Sequence, residues 1–309
     1  MKLADWLKHL LSGLAIGIGS AIPGVSGGTI AVILKVYENI IDAVSNIFKQ
    51  FTKSIKVLLP LILGLVVGLV PTIILMHEAL GGLVFATICI FAGFIIGSFP
   101  KIAKEVKGEP IKKRYIVILI MSLLFTVGLG VGSALSNANV MGYFITTPTW
   151  FYFVLIPVGL ISSIALVVPG ISGGMLLILL GFYRPLIDST VEVGKECLHG
   201  NWANFGHQIL LLLMFAVGVI VGFIIVSKVM HRLLEKYRAH TYYGIIGFIL
   251  GSIVALFFNY EIYNYYKLWA MGGHGYLKME FEIPLGIILL VGLAIATYLV
   301  IQKLEHKKS

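Results

Sequence analysis

Residues 23–28 read Pro-Gly-Val-Ser-Gly-Gly, and residues 169–174 read Pro-Gly-Ile-Ser-Gly-Gly. Each stretch interrupts an apolar segment, the first at about 10–34 and the second at about 150–182. Proline removes a backbone donor and breaks the helix behind it, whereas glycine permits turns and close approach of the backbone. Inside a bilayer, irregular backbone is tolerated only where it is buried in protein or lines a cavity. The doubled motif therefore predicts two broken helices at membrane depth.

The rest of the chain has the composition of an integral membrane protein. Of its 309 residues, 59% are hydrophobic and 12% are charged, whereas a soluble domain carries about 25% charged residues. A helical span needs about 20 apolar residues. Six further apolar segments approach that length, at about 57–76, 82–99, 115–135, 208–227, 241–259 and 284–301. The predicted fold class is an all-α polytopic membrane protein.

The two broken segments occupy matched positions in a longer internal repeat. A later glycine-rich stretch, GFIIGS at 93–98, returns as GFILGS at 247–252. The further matched pairs are Tyr37 with Tyr183, Ile41 with Ile187, Asp42 with Asp188, Gly64 with Gly218, and Gly68 with Gly222. Such an ordered series is typical of a duplication. We therefore predict a single membrane domain over 1–309, with one repeat at 10–135 and another at 150–301.

Lysine and arginine predict the orientation of the chain, because these residues accumulate in cytoplasmic loops. If each broken segment enters and leaves on one side, 19 of the 23 Lys and Arg residues fall on the side of the N-terminus. The predicted inner segments are 1–9, 35–56, 100–114, 228–240 and the C-terminal tail, and the outer ones are 77–81, 136–149, 183–207 and 260–283. Both termini are therefore expected in the cytoplasm.

Three spans follow the first re-entrant hairpin, so the second repeat is predicted to have the opposite orientation. Its hairpin would enter from the outside, and the two turns would face each other near the midplane. Inverted repeats with broken helices are typical of secondary transporters, which bind substrate where the repeats meet. An alternative stays open: each broken segment crosses fully, and 37–48 or 183–193 returns as a short span. Both returning stretches carry charged residues, and this favours the re-entrant interpretation.

Each break is predicted to expose the amino end of a new half-helix, whose free N–H groups and dipole favour an anion. The candidate binding residues are those of the two motifs: Pro23, Gly24, Ser26, Gly27, Gly28, Thr29, Pro169, Gly170, Ser172, Gly173 and Gly174. Met175 stands where the first copy has Thr29, so the two half-sites are not equivalent. The alternative interpretation is a kink that serves only helix packing, which also favours small residues.

Charged residues follow each broken segment. Arg184 is expected at the outer face, at the mouth of the second hairpin, where its guanidinium would capture an anionic headgroup by two parallel hydrogen bonds. A snorkelling anchor or an ion pair with Asp188 is the alternative. The candidates for gating or ion coupling are Lys35, Glu38, Asp42 and Asp188. His77 and Glu78 end a span at the outer face, where solvation is their simplest explanation.

The doubled motif, followed in both copies by Tyr and then Asp, resembles the polyprenyl-phosphate transporter family of bacterial membrane proteins. The resemblance covers nearly the whole chain. It implies that undecaprenyl phosphate moves from the outer to the inner leaflet of the bacterial cell membrane, where this lipid carrier of cell-wall precursors is used again. An anion moving inward works against an inside-negative potential, at about 2.3 kcal/mol per charge per 100 mV. A coupling ion, either a proton or sodium, is therefore an expected partner besides the membrane lipids.

Other classes of protein find little support in the sequence. The chain has no Gly-x-Ser-x-Gly elbow, no His-Glu-x-x-His motif, no Walker loop and no zinc-ligand spacing, so we expect no enzyme, metal or cofactor. The net charge of +9 is attributed to membrane orientation and not to nucleic acid. A transporter of small organic or inorganic anions on the same scaffold remains the alternative function, because an anion site suits both substrates.

Overall fold

The computed structural model gives the fold for most of the chain. It describes residues 3–23, 49–110, 112–135, 140–146, 148–167, 173–200 and 202–306, together with positions 25, 27, 30, 31, 34, 36, 39, 40, 42 and 43. Every regular element in this part of the chain is helical, so the all-α prediction is confirmed.

Four α-helices are described in the first half of the chain. They are α1 (Leu3–Ala21), α2 (Phe51–Gly82), α3 (Val84–Ala103) and α4 (Lys113–Leu135), with a short 3₁₀ helix at Lys104–Val106. The second half contains α5 (Val140–Thr146), α6 (Thr149–Ser162), α7 (Ile164–Val167), α8 (Gly173–Leu179), α9 (Tyr183–His199), α10 (Trp202–Ala255), α11 (Tyr260–Ala270) and α12 (Met279–His306), with a 3₁₀ helix at Leu256–Phe258.

Six helical stretches in the described residues are long and apolar enough to cross a membrane. They are Phe51–Gly82, Val84–Val106, Lys113–Gly132, Phe205–Met230, Arg232–Ala270 and Met279–Lys303. The pair α8 and α9, bent by 113°, would add a seventh as one broken span. Large apolar side chains such as Leu59, Ile62 and Val66 face outward on α2, as a helix in contact with lipid requires. The prediction of a multi-pass membrane protein is confirmed.

Several segments predicted as loops are helical. The stretches 136–149, 183–207 and 260–283 contain α5, α9 and α11. The charged segment predicted at 228–240 is helical on either side of a break at Tyr237 (φ −135°, ψ 37°), and two candidate spans, Phe205–Met230 and Arg232–Ala270, begin within α10. Residues 228–240 contain neither proline nor glycine and are rich in good helix formers. The predicted separation of two spans therefore holds, and the charged segment is helical up to the break at Tyr237.

Matched glycines make matched contacts in the two halves of the chain. A Cβ at Gly64 on α2 would lie 2.0 Å from the carbonyl oxygen of Leu10 on α1, and a Cβ at Gly218 on α10 would lie 2.1 Å from that of Ile156 on α6. Only glycine allows backbones to approach this closely. The helix before each predicted break therefore packs in the same way against the first long span that follows the break. The repeat boundaries and the opposite orientation of the repeats stay predictions.

The last helix of each predicted repeat packs against the other repeat. A Cβ at Gly247 on α10 would lie 2.1 Å from the carbonyl oxygen of Leu119 on α4, and one at Gly93 on α3 would lie 2.7 Å from that of Leu290 on α12. Glu282, which is fully buried at the start of α12, accepts hydrogen bonds from the Ala86 N–H, at 3.2 Å, and from the Tyr265 hydroxyl. This exchange of helices joins the halves into one body.

Candidate functional site

The structure brings the two broken segments together around one cavity of about 530 Å³, here called the hairpin chamber. Ser20, Ala21, Val25 and Gly27 line it from the first segment. Ser162, Ala165, Gly173 and Gly174 line it from the second. The remaining lining residues come from α2, α8, α9 and α10: Leu65, Leu69, Ile73, Leu177, Tyr183, Leu186, Ile187, Thr190, Leu212, Phe215 and Val219.

The two segments also touch directly. A Cβ at Gly174 would lie 2.9 Å from Cγ of Pro23, so the second motif presses its backbone against the proline of the first. The Tyr183 hydroxyl donates a hydrogen bond of 2.6 Å to the carbonyl oxygen of Ala21. Ala21 is the last residue of α1, and such a terminal carbonyl has no partner within its own helix. Tyr183 therefore satisfies a backbone group that the break in the first segment exposes.

Loss of this tyrosine hydroxyl gives the first testable prediction. Tyr183→Phe should lower the free energy of unfolding by about 1–3 kcal/mol, because a buried carbonyl loses its partner. The measurement is thermal unfolding of the purified protein in detergent. Tyr276→Phe is the matched control, since the Tyr276 hydroxyl donates over 3.3 Å to the exposed Glu78. Equal destabilisation by the two changes would contradict the capping role of Tyr183.

Part of the predicted anion site lies outside the described residues. These anion-site residues are Gly24, Ser26, Gly28, Thr29, Pro169, Gly170 and Ser172. The gating or coupling candidates Lys35 and Glu38 lie outside the described residues as well. Of the other candidates, Pro23, Gly27, Gly173 and Gly174 meet at or beside the hairpin chamber, whereas Asp42 is exposed and does not line it. The roles of all these residues in binding or coupling stay predictions.

The described lining of the hairpin chamber is mostly apolar. Two of its hydroxyls are used within their own helices: Ser20 donates to the Ile16 carbonyl at 2.7 Å, and Thr190 donates to the Leu186 carbonyl at 2.8 Å. The described lining residues carry no charged side chain. This surface suits an apolar chain or a headgroup held by backbone groups better than a small hydrated ion.

A second cavity, of about 750 Å³, lies on the other side of the second broken segment and is here called the aromatic chamber. Tyr143, Trp150, Phe151 and Phe182 form an aromatic wall, in which Phe151 and Phe182 stack with their ring centroids 6.3 Å apart. Its polar lining side chains are Tyr143, Trp150, Arg184, Tyr260, Glu261, Asn264 and Tyr265. Arg184 and Glu261 are the charged ones among the described residues that line this chamber.

Arg184 is held by three partners. Its NH1 nitrogen donates to the carbonyl oxygen of Leu80 at 2.9 Å and lies 3.5 Å from Oε2 of Glu261. Its Nε lies 3.8 Å from Oδ2 of Asp188, the ion pair considered from the sequence. The other oxygen of Asp188, Oδ1, lies 2.8 Å from Nδ1 of His77. These contacts orient the arginine side chain. Because the side chain is 30% exposed, it is still open to the chamber.

The bend between α8 and α9 separates the two chambers. Gly181 adopts a left-handed conformation (φ +77°), and the Phe182 N–H closes the end of α8 on the Leu177 carbonyl at 2.8 Å. Tyr183 then lines the hairpin chamber, and Arg184 lines the aromatic chamber. The adjacent residues Tyr183 and Arg184 therefore connect the predicted anion site with the aromatic chamber. Arg184 is the arginine that the sequence predicted at the mouth of the second hairpin.

Sequence reasoning missed two parts of this arrangement. His77 was interpreted as a solvated helix end, but it meets Asp188, which lies 111 residues further along the chain. Glu261 and Asn264 lie in a segment predicted as an outer loop. The aromatic cluster at Tyr260–Trp269 was the available signal, and it indicates an interface without identifying a chamber.

Comparison with known proteins places the chain among membrane transporters. Residues 16–268 match the family described as VCA0040-like, undecaprenyl phosphate translocase-like. A polyprenyl-phosphate transporter of Staphylococcus aureus is 34% identical over 269 residues, which cover 83% of this chain and 88% of the relative. A polyprenyl-phosphate transporter of Vibrio cholerae is 25% identical over 266 residues, which cover 82% and 78% respectively. No solved structure matches the chain significantly.

Proposed function

The chain belongs to the VCA0040-like, undecaprenyl phosphate translocase-like family, and on that premise we propose that it transports polyprenyl phosphate across the bilayer. The substrate is undecaprenyl phosphate, which moves from the outer to the inner leaflet of the bacterial cell membrane. The transported lipid then serves again as a carrier of cell-wall precursors. The protein is a transporter and not an enzyme.

The observation that carries this proposal is the meeting of the two broken segments beside Arg184. Backbone broken at membrane depth persists where it serves a site. Here Gly174 lies against Pro23, and the neighbouring chamber holds a guanidinium suited to a phosphate. The headgroup first engages Arg184 in the aromatic chamber and then passes to the backbone amides of the two motifs.

The apolar surfaces accommodate the rest of the lipid. Aromatic and aliphatic side chains line both chambers, so isoprene units near the headgroup exchange contacts with lipid for contacts with apolar side chains at little energetic cost. The remaining tail stays in the bilayer. The same lining favours an amphipathic anion over a small hydrated one, which would have to give up its water to enter.

Movement across the bilayer follows from rocking of the two predicted repeats about the shared site, the mechanism that inverted-repeat transporters use. Inward transport of an anion against the membrane potential requires an energy source, and a proton or sodium ion supplies it. Lys35, Glu38, Asp42 and Asp188 are the candidates for gating or coupling. Of these, Asp188 pairs with Arg184 over 3.8 Å, so it is the first to test.

The decisive experiment is reconstitution of the purified protein in lipid vesicles that contain labelled undecaprenyl phosphate, with a readout specific for one leaflet. We expect exchange between leaflets only when the protein is present. Protein-free vesicles and vesicles with the Arg184→Ala variant are the controls. Phosphate exchange with unchanged lipid distribution would favour the small-anion alternative, and absence of leaflet exchange under an imposed proton or sodium gradient would contradict the proposal.

A further inference from the structure

Glu261 occupies the position on Arg184 that an arriving anion would need. Its Oε2 lies 3.5 Å from NH1, and both side chains line the aromatic chamber. The Glu261 side chain is 15% exposed, so this pair is largely removed from water. At that distance the carboxylate forms a long ion pair that partly neutralises the guanidinium, and an arriving anion would compete for the same nitrogen.

The backbone of Glu261 is fixed at the start of α11. Asn259, which is fully buried, accepts hydrogen bonds from the N–H groups of Glu261, at 2.9 Å, and Ile262, at 3.3 Å. This capping places Glu261 in the first turn of the helix, where the dipole favours a negative charge. The start of α11 therefore stabilises the Glu261 carboxylate even without Arg184, which lowers the free-energy cost of separating the two side chains.

Asp188 differs from Glu261 in its surroundings. It lies on α9 together with Arg184, is hydrogen-bonded to His77 at 2.8 Å, and does not line the aromatic chamber. Its contact is with Nε, 3.8 Å away, and not with the NH1 end of the guanidinium. Asp188 therefore contacts the Nε side of Arg184 from outside the chamber, whereas Glu261 contacts NH1 inside the chamber that both side chains line.

A phosphate and Glu261 cannot both stay on this end of Arg184. Two anions in contact with one guanidinium repel each other, and the repulsion is strong where little water is present. A phosphate monoester offers more negative charge and more acceptor oxygens than a carboxylate, so it is the stronger partner for arginine.

We propose that Glu261 is an internal substitute for the substrate phosphate, which binds Arg184 only by displacing it. This inference rests on the proposed function and identifies Glu261 as a residue that sets specificity. Lipids with a phosphate headgroup displace the glutamate, whereas lipids with a single carboxylate do not. Displacement of Glu261 also removes the ion pair between Arg184 and α11, whose residues Tyr260, Asn264, Tyr265 and Leu268 line the same chamber. Headgroup binding is therefore coupled to the position of that helix.

The test is equilibrium binding of undecaprenyl phosphate to the purified full-length protein in detergent micelles, measured by native mass spectrometry. Glu261→Gln keeps the shape of the side chain and removes its charge, and we expect it to lower the apparent Kd by about tenfold, because Arg184 no longer has to be freed first. Glu261→Asp, which is one methylene shorter and does not reach Arg184, should change affinity in the same direction. Glu192→Gln removes an equal charge from the exposed pair with Lys195 on α9, where the two charged atoms are 3.7 Å apart, and should leave Kd unchanged.

The outcomes separate this inference from the proposed function. Tighter binding in Glu261→Gln that vanishes when Arg184→Ala is added supports the exchange. Unchanged or weaker binding in both Glu261 variants, while the unmodified protein still binds the lipid, overturns the role of Glu261 and leaves the proposed function intact. If the unmodified protein does not bind undecaprenyl phosphate, both proposals are overturned.

Discussion

Replacing Arg184 with alanine is expected to weaken binding of undecaprenyl phosphate by roughly 10- to 100-fold, since a hydrogen bond to a charged group contributes about 1.5–3 kcal/mol. Arg184 is the cationic side chain among the described residues that line the aromatic chamber, so no described neighbour replaces it. The same native mass spectrometry measurement gives the Kd, and transport in vesicles should fall in parallel.

Two matched changes make the Arg184 prediction specific. Arg184→Lys keeps the charge but loses the planar fork, so an intermediate affinity is expected. Lys195→Ala removes a cation from the same helix in an exposed pair with Glu192, and should leave affinity unchanged. Thermal unfolding of each variant separates loss of binding from loss of fold. If Arg184→Ala binds within twofold of the unmodified protein while remaining folded, Arg184 is not part of the site.

The second large effect concerns the glycines at helix crossings. Gly64→Ala and Gly218→Ala are each expected to lower the free energy of unfolding by roughly 1–3 kcal/mol, the usual cost of overpacking. The added methyl groups would lie 2.0 Å and 2.1 Å from the carbonyl oxygens of Leu10 and Ile156, so the helices must separate. Thermal unfolding in detergent measures the effect, and the two variants should lose similar amounts because their contacts match.

Gly292→Ala on α12 is the control for these substitutions. A Cβ at Gly292 would have no neighbour within 4 Å, and alanine favours a helix over glycine by about 1 kcal/mol. We therefore expect Gly292→Ala to be neutral or stabilising, opposite in sign to the crossing variants. A destabilisation by Gly292→Ala equal to that of Gly64→Ala would point to helix glycines in general and not to close packing.

The sequence was most informative where a pattern is local. Long apolar segments indicated the membrane spans, because lipid contact sets both their length and their composition. The charged stretch at 228–240 correctly separated two spans, although its residues are helical on either side of a break at Tyr237, because charge ends an apolar segment without excluding a helix. The helix α11 was missed, and α9 was considered only as a short returning span, because their polar residues resemble those of loops, although α9 has an apolar face that buries Leu186 and Ile187.

Pairings between distant residues were beyond sequence reasoning. His77 and Asp188 lie 111 residues apart, and Arg184 and Glu261 lie 77 apart. Neither pair has a sequence spacing that identifies it, because these contacts depend on how α2, α9 and α11 converge. The packing of α4 and α12 against the opposite halves was likewise not predictable. Gly93 and Gly247 are matched glycines, so the sequence does not indicate which of them contacts α4 and which contacts α12.

By itself, the sequence determined the membrane class, the two breaks and the duplicated glycine pattern, since each follows from hydropathy or from the backbone preferences of proline and glycine. Only the tertiary structure decided that Pro23 contacts Gly174, that Tyr183 and Arg184 face different chambers, and that Glu261 pairs with Arg184. The physical reason is that local preferences act along the chain, whereas a binding site forms from side chains that packing brings together.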